Sequence, residues 1–188
     1  SKLDYCNSLY LNLPQTELNR LQHIQNALAR VVTNTRLHDH ITPSLQSLHL
    51  LKIHERITYK VMSITYNVLN TSKPNYLSSL LSLQPARNTR SSRLVTLYPP
   101  AVTSSRAILN RSFSYSAPRL WNSLPAKLRL PNCVDSPGLN LLSKSTFLTK
   151  LKTHLFTQSY PNESRLISSS SHNSTSNPTH TIPPWPPD

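Results

Sequence analysis

A chain of 188 residues with 20 Lys and Arg against 7 Asp and Glu carries a formal net charge of +13. Its pI is near 10.2, so acidic substrates, polyphosphates or an anionic surface are its natural counterparts. A single glycine, Gly138, stands where average usage supplies about thirteen, which excludes a P-loop and a dinucleotide fingerprint, since both need several glycines for close backbone approach to phosphate.

The cysteines, Cys6 and Cys133, lie far apart and form no CxxC; this excludes a zinc ribbon and reads as two small buried hydrophobes. No run approaches 18 apolar residues and no charged-then-apolar leader is present. The expectation is a soluble intracellular protein, nuclear or cytoplasmic, neither secreted nor membrane-bound.

The chain opens without an initiator Met, and Leu3, Cys6, Leu9 and Tyr10 recur as if a helix had been cut through, so it reads as a piece of something longer. Pro14 breaks that pattern, and Thr16 with Glu17 reads as a cap and first-turn acid. A helix over 17–32 follows, whose Leu18, Leu21, Ile24, Leu28 and Val31 form one face of a 3.6-residue period and predict its core stripe. His38-Asp39-His40 has metal-binding residue types but no further ligand on a rigid frame, so no metal site is expected. The same triplet is the one place where a histidine-based nuclease is conceivable. Thr42-Pro43 then starts a short helix through Leu48.

The strongest periodicity runs over 54–70. Ile57, Val61, Ile64 and Val68, widened by Tyr59, Met62, Tyr66 and Leu69, leave only a narrow polar strip of Arg56, Lys60, Ser63, Asn67 and Asn70. Such a helix must be nearly surrounded, with the 17–32 helix as its expected partner. A short helical turn is read at 76–81, a small hairpin from strands at 94–98 and about 107–113, and a turn of helix at 119–124 bracketed by Pro118 and Pro125. Trp121 reads as a core plug. A last helix over 144–156 carries Phe147, Leu148, Leu151 and Leu155 on one face. The fold class expected is mainly α: a small helical bundle with a short β-hairpin over 1–156, then a disordered Ser/Thr/Asn/Pro-rich tail over 157–188.

Charge is distributed unevenly. Between Glu55 and Asp135 there is no Asp or Glu, while eleven Lys and Arg occur. One sign over so long a stretch projects a positive field at a polyanion. The loop Arg87-Asn88-Thr89-Arg90-Ser91-Ser92-Arg93 offers guanidinium forks, amides and hydroxyls suited to phosphate oxygens. The candidate nucleic-acid contacts are Arg87, Arg90, Arg93, Arg111, Arg119, Lys127 and Arg129. No cofactor, small-molecule substrate or membrane partner is implied.

Several stretches, in order, carry a resemblance. They are Leu3-Asp4-Tyr5-Cys6-Asn7-Ser8-Leu9, Leu21-Gln22-His23-Ile24-Gln25-Asn26-Ala27-Leu28-Ala29-Arg30, His40-Ile41-Thr42-Pro43 with Leu48-His49-Leu50-Leu51, Glu55-Arg56-Ile57 with Tyr59-Lys60, Arg90-Ser91-Ser92, Ala117-Pro118-Arg119-Leu120-Trp121-Asn122-Ser123-Leu124-Pro125 and Leu151-Lys152-Thr153-His154-Leu155-Phe156. Together they resemble the C-terminal, thumb and post-thumb region of LINE-type non-LTR retrotransposon reverse transcriptases. The resemblance implies a helical module that holds template RNA and primer, partnered by an RNA or RNA/DNA backbone and by an upstream polymerase domain. It implies no activity of the chain's own. Polymerase chemistry needs clustered carboxylates, and this sequence has no adjacent pair and no Tyr-x-Asp-Asp. The alternatives are an interaction module that packs on the polymerase palm, and a translated relic without function.

Overall fold

The structure is a computed structural model that describes residues 6–85, 94–99, 111–130 and 142–161. Among these residues a 3-10 turn at Asn7–Tyr10 precedes α1 (Gln15–Thr33), α2 (Thr42–Ser47), α3 (Ile53–Thr71), α4 (Asn75–Ser78), α5 (Phe113–Ser123), α6 (Ala126–Arg129) and α7 (Lys144–Ser159). The molecule is mainly α, as the sequence implies.

The broad apolar surface of α3 makes it the axis of the fold. Ile53, Ile57, Val61, Met62, Tyr66 and Val68 are buried along it, and α7, α5 and the 3-10 turn pack on it more extensively than α1 does. From α7 come Phe147, Leu151 and Leu155, and from α5 comes Trp121. The Phe147 ring stacks on Tyr66 with centroids 4.3 Å apart and on Trp121 at 5.8 Å. Burial pushes the Tyr66 phenol above its ordinary pKa, and its hydroxyl donates to the Leu142 carbonyl just before α7. Ser143 caps α7 by accepting from the Thr146 backbone N–H at 3.3 Å.

The extent of α1 follows its periodicity, but the buried face does not. Ile24, Leu28, Val31 and Val32 are 50, 55, 81 and 70% exposed, while Leu18, Gln25 and Ala29 are buried. The cause lies in the chain entering α3. The backbone N–H of Ile53, a helix-start donor without an intrahelical acceptor, donates to Gln22 Oε1 at 2.9 Å, and Gln25 Nε2 donates to the Leu51 carbonyl at 2.8 Å. Satisfying these groups turns a glutamine face inward. A satellite core of Ala29, Leu45 and Tyr160, with Ile41, Leu48, Leu50 and Phe156 around it, completes that side. The helix starts at Gln15 with Pro14 at its cap, so Thr16 is not the cap expected.

Other expectations are also corrected. No strand forms among the described residues: Leu97 makes an isolated antiparallel bridge to Leu83, and Phe113 already belongs to α5, while 107–110 lie outside the described residues. The 94–98 segment instead runs along the α5–α6 corner. Trp121 Nε1 donates to the Val95 carbonyl at 3.0 Å, Asn122 Nδ2 donates to Leu97 O at 2.8 Å, and Asn122 Oδ1 accepts from Leu97 N at 3.0 Å. A side chain thereby supplies the ladder that a second strand would have offered.

Pro118 sits inside α5 rather than starting it; it is buried and has no N–H to give to the carbonyl four residues back. Cys6 is exposed at a left-handed position (φ 52°) that opens the 3-10 turn, so it is no core residue, and Cys133 lies outside the described residues. The last helix continues to Ser159 and Tyr160 is buried, which carries the folded part beyond Phe156. The tail expected to be disordered lies, from 162 on, outside the described residues.

Candidate nucleic-acid interface

Of the seven expected contacts, Arg87, Arg90 and Arg93 lie outside the described residues. Arg111 is exposed and donates from Nη2 to the Leu9 carbonyl at 3.3 Å. Arg119 is exposed on α5; its Nη1 donates to Tyr115 Oη at 2.7 Å, and its guanidinium carbon lies 5.1 Å from that ring's centroid. Tyr115 and Arg119 lie one turn apart on α5, whereas Arg111 precedes the helix and is held against the 3-10 turn. Lys127 is exposed on α6. Arg129 behaves differently. It is half-buried, its Nε donates to Leu124 O at 2.9 Å, and its carbonyl accepts from Val95 N at 3.0 Å. Burial lowers the guanidinium pKa, and the residue staples α6 to the 94–98 segment.

A second basic surface forms where α3 and α7 meet the end of α2. On α3, Arg56, Tyr59 and Lys60 share a side at i, i+3 and i+4. On α7, Thr149, Lys152, Thr153 and Phe156 do the same, opposite the Phe147, Leu151 and Leu155 face that fills the core. Packing the two helices leaves a cleft of two adjoining lobes that share His49, Tyr59 and Lys152.

The larger lobe, about 500 Å³, is walled by Gln46, Leu148, Thr149, Thr153 and Phe156 besides the shared three. The smaller, about 380 Å³, adds Asn7, Leu50, Leu51, Arg56 and Lys60. Lys60 and Lys152 are exposed and Arg56 is half-buried. Among the described residues that wall the cleft there is no carboxylate. Asn7 is 5% exposed, and its Oδ1 has no hydrogen-bond partner.

Aromatic rings fix the floor. Phe156 lies between His49, at 6.2 Å between centroids, and Tyr160, at 4.9 Å. His49 takes a left-handed backbone (φ 52°), and its Nδ1 lies 3.0 Å from the Gln46 carbonyl, the position of a donor. Tyr160 Oη donates to Leu50 O at 2.9 Å, and Lys52 Nζ lies 5.2 Å from its ring centroid. Burial first, and the Glu55 charge second, push the Tyr160 phenol up to about 12. Periodicity alone assigned Arg56 and Lys60 to a solvated strip of α3. The available signal was that strip's i, i+3, i+4 basic and aromatic content, matched by Lys152 and Phe156 on α7.

His38, Asp39 and His40 are exposed, and among the described residues no group of three or more His, Cys, Asp or Glu is placed to hold a metal ion. Among the described residues no helix is long and apolar enough to cross a membrane. No family model, curated protein or solved structure matches this chain.

Proposed function

We propose that this chain is a non-catalytic nucleic-acid-binding module, the template- and primer-holding C-terminal part of a retrotransposon reverse transcriptase. The observation that carries the binding role is the cleft between α3 and α7, where Arg56, Lys60, Lys152 and His49 gather with aromatic rings and with no carboxylate among the described residues of the walls. The net charge of +13 supplies the long-range attraction, and the exposed Arg111 and Arg119 add further donors. The link to reverse transcriptases rests on the sequence resemblance.

If about six cations contact phosphates, affinity for RNA falls on the order of a thousandfold between 50 and 200 mM salt, with little sequence preference. Replacing Lys60 and Lys152 together by Ala lowers the slope of log affinity against log salt by about 2, one for each lost contact, whereas Lys73→Ala beyond the far end of α3 leaves affinity unchanged. A flat salt profile in fluorescence anisotropy would remove the proposal.

The exposed aliphatic stripe of α1 favours a second reading, a module that packs on a polymerase palm. Under it the chain alone binds RNA weakly and restores activity when mixed with the upstream polymerase, so the same titration separates the two.

A further inference from the structure

The two lobes of the cleft differ in chemistry in a way that a phosphate-tracking surface alone does not require. Leu148 and Phe156 line only the larger lobe and Arg56 and Lys60 only the smaller one, while His49, Tyr59 and Lys152 stand between the two. An unpaired nucleotide has the same division, a flat apolar base joined to an anionic phosphate. A paired base, stacked on both faces, cannot enter a recess.

We infer that this cleft, read as part of the nucleic-acid interface proposed above, is a site for one unpaired nucleotide, its base in the apolar lobe and its phosphate in the cationic lobe. The volume of about 500 Å³ lies in the range of sites for small organic ligands and is suited to a base with its sugar. Charge complementarity selects the occupant, since the described walls hold cations and no carboxylate. The module therefore grips a frayed or single-stranded segment better than a closed duplex.

The test uses the full chain and three fluorescent ligands at one salt concentration: a 12-nucleotide RNA single strand, the same strand with abasic sites, and the blunt duplex of the same sequence. The single strand is expected to bind about tenfold more tightly than its abasic counterpart, the worth of one stacked base, and more tightly than the duplex. Thr149→Trp, which fills the apolar lobe from an exposed position on α7, abolishes that tenfold difference. Tyr59→Leu, which removes a stacking face but keeps bulk, narrows it. Equal binding of base-containing and abasic strands by the wild-type chain overturns the nucleotide site while leaving a phosphate-binding module intact. Failure of all three ligands to bind at 50 mM salt overturns both.

Discussion

Asn122 shows how much a single side chain carries. Its amide replaces a partner strand for Leu97, accepting from the backbone N–H and donating to the carbonyl. Asn122→Ala strands both groups in a half-buried setting and is expected to cost about 2 to 3 kcal/mol in urea unfolding. Arg119→Ala, three positions earlier but exposed, is expected to stay within about 0.5 kcal/mol.

Tyr160 gives a pH signature. Its phenol is neutral in the folded chain up to about pH 12, whereas in the unfolded chain it ionises near the ordinary value of 10.0. The stabilisation is complete below pH 10 and is lost as pH rises toward 12, because the unfolded state releases its proton first. Melting temperatures are therefore expected to fall across that window, and Tyr160→Phe to flatten part of the fall. Tyr66, raised by burial in the same direction, accounts for a further part.

Among the elements, α1 separates what periodicity encodes from what it cannot. The 3.6-residue repeat of Leu18, Leu21, Ile24, Leu28 and Val31 marks a helix, and a helix is there. Its rotation is set by unsatisfied backbone groups at Leu51 and Ile53, which lie in another part of the chain and leave no mark in the local pattern. Mutations on the two sides should differ accordingly. Leu28→Glu on the outer stripe is expected to change stability by no more than about 0.5 kcal/mol, while Ala29→Leu overpacks the satellite core at a cost of about 1 to 3 kcal/mol. Chemical denaturation of both variants checks this, and equal effects would mean that the helix is turned as its periodicity suggests.

By contrast α3 and α7 were readable face by face, because Ile57, Val61, Phe147, Leu151 and Leu155 meet other apolar surfaces. The block from Ala117 to Pro125, the most distinctive local signature, turns out to be architectural. Trp121 and Asn122 clasp the 94–98 segment, and Leu124 accepts the Arg129 side chain. The cationic cleft was half legible. Arg56 and Lys60 stood out by charge, but their meeting with Lys152 and His49 depends on how α3 and α7 dock.

At the scale of the whole molecule, the cationic cleft and the aliphatic stripe of α1 occupy different places. Arg56, Lys60 and Lys152 stand at the α3–α7 cleft, while Ile24, Leu28, Val31 and Val32 are bare along α1. A polyanion bound in the cleft and a protein packed on α1 would not compete for the same residues. The molecule is also closed by contacts between distant parts of the chain. Asn12 Nδ2 reaches Ser116 Oγ at 3.4 Å across 104 positions, and Tyr160 reaches Leu50 across 110.

Such long-range closure has a consequence for how the protein is made. A ribosome that has released α1 through α4 has delivered the central helix without the two helices that cover it, so Ile57, Val61, Met62 and Tyr66 stay wet until synthesis reaches α7. Biogenesis therefore passes through a sticky half-chain, and a nascent-chain chaperone has its greatest hold on the protein in that interval.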